Sequence, residues 1–515
     1  MKAVVVGAGH NGLVCACYLA QAGLDVLVLE QSARPGGGSR TEETVPGHRF
    51  DTHSVAHNII NATPVAAELQ LGDVGLEYRE MDPFAVAVFA DGRIVRFHRS
   101  IERTVASIAE VDPREARAYR RFMDVAVPLL DPLVAWMGAG GGAPGVRAAA
   151  RDAPAAIRAF ARQPRRIATD LLASYGRVLE DRLGSDLTRG PVAAFAAHAS
   201  AGPQTPRGAR FVYWQAVYHR IGQWHGVGGS GALTTALVRR LESLGGELRC
   251  DSPVARIDVC GGRARGVALE SGERIGADVV VTAINPQTAL LELAHPPLSG
   301  RVARRLRATH RSNAVQAVVH VATDRLPAYR GARSGDWNGL QSYVDTLANL
   351  DAAFAAAEDR RLHTPAPAYA FTPSALDDSL APPGQHTVYL ACPAAPFEVR
   401  KGWRADGERL VEDLIAQVEA RAPSFRDSIR GVSVRTPEQM ARELRWPGAH
   451  PMHLDLTPDQ AGPRRPTRAL ASHRTPIDRL YISGAGTAPF GGVAALPGRA
   501  AAGAVLEDAA RLAAT

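Results

Sequence analysis

Six residues near the amino terminus restrict the fold more than any other feature of the chain. Gly7-Ala8-Gly9-His10-Asn11-Gly12 follows the apolar run Lys2–Val6 and precedes the helically spaced stretch Leu13–Ala22. A second apolar run, Asp25–Glu30, closes a strand-turn-helix-strand unit of about 30 residues. In this setting Gly7 permits a sharp turn, Gly9 lets backbone approach a pyrophosphate, and Gly12 lets helix and strand pack closely. Phosphate then meets the unpaired N–H groups and positive dipole end of the helix. Glu30 is placed to accept hydrogen bonds from ribose hydroxyls and favours a free 2′-hydroxyl over a 2′-phosphate. The unit predicts a dinucleotide-binding parallel sheet.

A nicotinamide dinucleotide needs no second glycine cluster, yet Gly36-Gly37-Gly38-Ser39-Arg40-Thr41 follows Glu30 within about ten residues. Extra backbone donors there suit the longer phosphate path of FAD. Further on, Leu76–Phe97 reads as antiparallel strands around the turn dipeptide Asp91-Gly92. Residues 101–180 read as helical, broken by the glycine run Gly138–Gly142, expected to be a mobile joint, and by Pro154 and Pro164. A helix at Ala232–Leu244, strands at Val254–Val259 and Arg265–Leu269, and the apolar run Ala277–Ala283 resume the opening pattern. Strands at Ala314–Val321 and Thr387–Cys392, with a helix at Leu410–Ala420, suggest a second, antiparallel sheet covered by helices. The end of the chain reads strand, glycine-rich loop, helix. The expected fold is α/β: a discontinuous Rossmann-like FAD-binding domain from residues 1–60, 225–300 and 475–515, with an inserted antiparallel-sheet and helical substrate domain from 61–224 and 301–474.

Composition narrows the function classes. With 515 residues, 46% hydrophobic and 22% charged, the chain can bury a large core and is neither disordered nor fibrous. The net charge of +7 is scattered, which argues against a nucleic-acid partner. Five cysteines without CxxC or metal-ligand spacing fit a reducing, cytoplasmic setting and no metal. No stretch of about 18 apolar residues is present. The basic, alanine-rich segment 146–166 is a candidate for peripheral membrane contact, although its two prolines interrupt an amphipathic helix.

The string VVVGAGHNGLVCACYLAQAGLDVLVLEQSARPGGGSRTEETVPGHRFD resembles the amino terminus of the phytoene desaturase-like FAD-dependent oxidoreductases, within the flavin amine oxidase and carotenoid desaturase superfamily. Stretches within 202–247, 253–286 and 480–502 resemble the same family, and together they cover the expected cofactor module. The resemblance implies that Val254 contacts the adenine through its backbone, and that Gly484, Gly486, Gly492 and Val493 approach the flavin. It also implies that the last helix points its amino-terminal dipole at the flavin's N1–O2 edge. Gly38 departs from the arginine often found there in these relatives, and Arg40 is the candidate to supply that charge.

The activity implied is removal of a hydride from a C–H bond of a small organic, lipophilic or secondary-metabolite substrate, with oxygen or another electron acceptor reoxidising the cofactor. Such a reaction needs a positioned C–H bond, exclusion of water and at most one base. The stretch HPMHLDLTPDQ resembles a family segment near the flavin ring and offers His453 and Asp455 as base candidates, which alternation would put on one face of an extended segment. Tyr213, Trp214, Tyr218 and Trp224, clustered in a chain with only 6% aromatics, are candidates for a substrate wall, and His53 and His57, just after Asp51, are candidates to line the same cavity. A redox-neutral isomerase or saturase, an amine oxidase, and a flavin-free escort protein of related fold stay open as alternatives.

Overall fold

Residues 1–513 are described by the computed structural model; residues 514 and 515, the end of the expected third cofactor-module piece, lie outside the described residues. The amino-terminal unit forms as its pattern predicts: β1 (Lys2–Val6), α1 (His10–Gln21) and β2 (Asp25–Leu29). Alternate β1 and β2 residues serve two different cores. Ala3, Val5, Val26 and Val28 meet helices, while Val4, Val6, Leu27 and Leu29 meet a second sheet. Burial on both faces explains why these strands are apolar throughout.

Three later strands complete the layer: β3 (Glu247–Arg249), β4 (Val279–Thr282) and β5 (Leu480–Ile482). The order is β5-β4-β1-β2-β3, every pair parallel, with Val4 opposite both Val280 and Leu27. This is the doubly wound order, which reverses direction between β1 and β4. One face is covered by α1, α2 (Gly231–Ser243) and α3 (Leu496–Ala513), through side chains such as Leu13, Leu237 and Val505. Val254, Ile257, Ala264 and Val267, from a four-stranded sheet, cover the other.

A separate seven-stranded sheet takes its strands from residues 85–97 and 314–435 and is antiparallel apart from the Ala85–Val88 and Leu340–Ser342 pair. The Thr41–Val45 and His48–Asp51 hairpin leans on it through Val45, Phe50 and Ala322.

Helices at Ile101–Val111, Pro113–Gly138, Gly142–Arg162, Pro164–Leu172 and Tyr175–Arg182 form a cap. Pro164 starts a new helix, as expected, but Pro154 stays inside one. Pro154 and Ala150 are exposed, so the carbonyl freed by the proline ring faces water. The glycine run is a packed turn rather than the expected mobile joint: Gly145 N–H donates to the Gly141 carbonyl at 2.9 Å and Arg499 to that of Gly140 at 2.9 Å.

Candidate functional site

Where β1 and β4 part, their carboxyl ends open onto a cleft of about 390 Å³. Open parallel sheets bind ligands at this switch point. The turn after β1 is sharp because Gly7 has φ +99°, and it delivers the chain to α1 with Gly9 as the residue before the helix. No side chain caps α1, which leaves its first N–H groups free toward a ligand. A Cβ added at Gly9, which lines the cleft, would meet nothing within 4 Å, whereas one at Gly12 would collide with the Gly7 carbonyl oxygen. Gly12 therefore serves helix-strand packing and does not itself line the cleft.

Glu30, only 8% exposed, accepts N–H groups of Ala8 at 2.9 Å and Ser32 at 3.0 Å, and borders the cleft with Val254. Gly37, Gly38 and Ser39 also line it, while Gly36 pairs backbone to backbone with Gly9, its N–H reaching the Ala8 carbonyl at 2.8 Å. A Cβ at Gly38 would approach Trp446 to 2.7 Å, so the indole occupies the room a side chain there would need. Arg40 does not supply the missing charge as expected. Its Nε donates to the Gly37 carbonyl at 3.1 Å, the guanidinium turns toward Glu42, and it does not line the cleft.

The carboxyl-terminal loop closes the opposite wall with Gly484, Gly492 and Val493. His10 Nε2 lies 3.0 Å from the Gly492 carbonyl, 482 positions away, and Ile60 N–H donates to the Val493 carbonyl at 3.2 Å. Gly486 sits behind the wall, where a Cβ would press on Pro286 at 2.6 Å.

His453 lines the cleft but Asp455 does not. Their expected common face fails because His453 has φ +62° in a turn, its N–H bonded to the His450 carbonyl at 2.9 Å, and extended alternation needs negative φ. Asp455 turns away to accept Ser312 N–H at 3.0 Å and Oγ–H at 3.1 Å, and lies 2.9 Å from His450 Nε2. Burial, with the Arg465 and Arg311 cations near, pushes His453 down to about 3. Arg465 is wholly buried and donates to the carbonyls of Ala485, Asp455, Gln460, Met452 and Leu454. Although burial lowers it to about 9, it remains a cation at neutral pH.

Of the aromatic candidates Trp214 and Tyr218 line the cleft, and so does His53. Tyr213 donates its hydroxyl to buried Asp170 at 2.6 Å inside the cap, and Trp224 Nε1 donates to the Ile221 carbonyl at 2.7 Å from a strand paired with Tyr78–Glu80. His57 is held between Tyr78 Oη at 2.9 Å and Ser230 Oγ at 2.7 Å, away from the cleft wall. At the far end Tyr218 is joined by Phe195 and His198 of the helical region and by Gln316, Val318, Leu340, Tyr369, Phe371 and Tyr389 of the seven-stranded sheet, none of them singled out from the sequence. Gln316 with Val318, and Tyr369 with Phe371, are i, i+2 pairs. For the sheet side of this wall the signal available was a glutamine inside the otherwise apolar start of strand Ala314–Thr323.

The cleft suits an extended, polar ligand with an aromatic neighbour. Asn11 Oδ1, Ser39 Oγ, Asn58 Oδ1, Gln223 Oε1, His53 Nε2 and His453 Nδ1, all on its lining residues, are buried without a protein partner. Buried polar atoms of this kind normally find one. Glycines on two facing walls, a carboxylate at one end and rings at the other match what a flavin dinucleotide requires.

A doubly wound sheet with such a switch-point cleft defines a dinucleotide-dependent oxidoreductase fold. The chain matches the family of flavin containing amine oxidoreductases over residues 12–506 and belongs to it. It is 29% identical to pyridine nucleotide-disulfide oxidoreductase domain-containing protein 2 of Mus musculus, over 98% of this chain and 93% of that one. It is 25% identical to a lycopene-forming phytoene desaturase of Paracoccus sp., over 97% and 96% of the two chains. The crystal structure of an oxidoreductase from Methanosarcina mazei shares its fold, with a TM-score of 0.65 at 17% identity, covering 98% of this chain and all of that one. The protein is thus an FAD-dependent oxidoreductase, acting with a small-molecule substrate and an electron acceptor.

Proposed function

We propose that residues 1–60, 225–300 and 475–515 hold FAD and that 61–224 and 301–474 hold a substrate whose C–H bond is oxidised. In this reading backbone at Gly7, Gly9, Gly37 and Ser39 receives the phosphates, with Gly12, Gly36 and Gly486 as the packing glycines that let these turns close. Glu30 receives the adenosine ribose, Val254 borders the adenine, and Gly484, Gly492 and Val493 border the ring system. FAD, when bound, supplies the hydride acceptor. The chain's own part is to hold the C–H bond against that ring, keep water out with aromatic side chains, and surround the ring's edge with positive potential from Arg465, Arg311 and the amino terminus of α3.

The observation that carries the reading is the continuity of one cleft from Glu30, past both glycine walls, to the rings of Phe195, Tyr218 and Tyr369. We assign His453 a neutral hydrogen-bonding role beside the ring, because burial, and then the neighbouring guanidinium groups, disfavour its protonation, and Asp455 a positioning role through Ser312. The purified protein is expected to be yellow, to release FAD on denaturation, and to bleach anaerobically with its substrate. Colourless protein that cannot be reconstituted with FAD would favour the flavin-free escort reading, and turnover without any electron acceptor would move the reaction to isomerisation.

The same reading includes a membrane surface. Val146, Ile157, Phe160, Leu171 and Leu172 are exposed on the helices Gly142–Arg162 and Pro164–Leu172, where Arg147, Arg151, Arg158, Arg162, Arg165 and Arg166 are exposed too. Apolar side chains fringed by arginine complement an anionic lipid headgroup layer. No helix among the described residues is long and apolar enough to cross a membrane.

A further inference from the structure

We propose that the ring-lined end of the cleft selects an uncharged molecule with an apolar, ring-sized body and one hydroxyl or N–H group, and that Nε2 of His198 accepts that group's hydrogen. This deepens, and rests on, the oxidoreductase reading of the same cleft.

The wall there is aromatic and closely spaced: Phe195 and Tyr218 have centroids 4.9 Å apart, and His198 and Tyr369 4.3 Å apart. Such rings give a flat molecule large contact area at little entropy cost. His198 is the polar exception whose hydrogen-bonding state is determined by geometry. Its Nδ1 lies 2.8 Å from the Ala194 carbonyl, and a carbonyl only accepts, so Nδ1 carries the proton. Nε2 is then a lone pair, and it is buried with no partner in the protein. Burial lowers the imidazole to about 4, which keeps this tautomer neutral at working pH. Gln316 is committed to Tyr389 Oη at 2.7 Å, and Tyr389 donates onward to the His53 carbonyl at 2.9 Å.

The unpartnered oxygens of Asn58 and Gln223 on the same cleft are also acceptors. What the site lacks is a counter-charge. The formally charged residues lining the cleft are Glu30, already holding two N–H groups beside the dinucleotide turn, and Arg445, paired with Glu270 at 2.8 Å. An ammonium ion at the ring-lined end would lose its hydration without a carboxylate in exchange.

Calorimetric titration of the purified protein at pH 7 with benzyl alcohol, benzyl methyl ether and benzylamine tests the pocket, with FAD content per chain measured on the same samples. The alcohol is expected to bind about tenfold more tightly than the ether, the worth of one hydrogen bond, and benzylamine, an ammonium ion at this pH, most weakly. His198→Phe should bring the alcohol to the level of the ether, while His198→Gln, which keeps an acceptor, should retain most of the difference. Equal binding of alcohol and ether, tightest binding of benzylamine, no binding of any probe, or a ratio unchanged in His198→Phe would each overturn the proposal. Absence of FAD would count against the cofactor reading alone, because heat of binding reports the pocket without it.

Discussion

Two glycines three residues apart face opposite demands. A methyl group at Gly12 would meet the Gly7 carbonyl oxygen and Ala283 Cβ, so Gly12→Ala forces α1 away from β1. We expect it to cost about 3 kcal/mol, read as a lower denaturation midpoint even without cofactor. Gly9→Ala should leave that midpoint nearly unchanged, since its methyl projects into open cleft, and instead weaken FAD binding about tenfold or more. Equal destabilisation by both would contradict this division.

His453 gives a second residue-scale prediction. With a pKa near 3 it stays neutral from pH 5 to 8, so the anaerobic bleaching rate should show no inflection belonging to it, and His453→Gln should keep the shape of the pH profile. A limb near pH 6.5 that vanishes in His453→Gln would restore the base assignment.

At this scale the glycine turns were readable because their spacing answers to backbone geometry, the positive φ of Gly7 and the missing room for a Cβ at Gly12. Asp455 was not, since a positive φ at His453, invisible in a string of letters, reverses which way the next side chains point. Tyr213 looked functional because aromatics are sparse in this chain and His57 because it follows Asp51, yet each is consumed by an internal hydrogen bond.

Among the elements, the cap helices offer a direct test of surface chemistry. Ile157, Leu171 and Leu172 are 66%, 53% and 68% exposed, a large loss if these side chains faced only water. Co-sedimentation should be strong with phosphatidylglycerol vesicles, weak with phosphatidylcholine, and salt-sensitive. Replacing Ile157, Leu171 and Leu172 with Asp together should reduce it about tenfold or more while leaving FAD content intact. Equal affinity for both lipids would argue against an anionic surface.

Elements with a clean period were legible, including the Asp91-Gly92 hairpin, the helix at 410–420 and every strand of the parallel sheet except β3. That strand has only three residues, two of them charged, because it lies at the sheet's edge. Pro154 misled in the other direction, since the penalty of a proline depends on whether the carbonyl it frees can reach water, which is a matter of tertiary placement.

For the molecule as a whole, buried histidines set the response to acid. His10, His57, His198, His219, His320, His453 and His473 are each pushed by burial down to about 3 or 4. Unfolded, each would titrate near 6.5. The folded state thus binds fewer protons between these values, so the stability they contribute is fully present above about pH 6.5 and drains away as pH falls toward 4. Urea midpoints should drop steadily from pH 7 to pH 5, and a flat profile would contradict the burial of these rings. Saturating FAD should raise the midpoint at every pH, with about 2.7 kcal/mol of added stability at a hundredfold excess over its dissociation constant.

The meeting of His10 with Gly492 has a temporal consequence. The two residues are 482 positions apart, so the ribosome makes the turn after β1 long before the loop it meets, and the turn must wait for its counterpart. Nascent chains stalled before β5 should emerge colourless however much FAD surrounds them, so that the onset of yellow colour would date the arrival of the Gly484–Val493 loop.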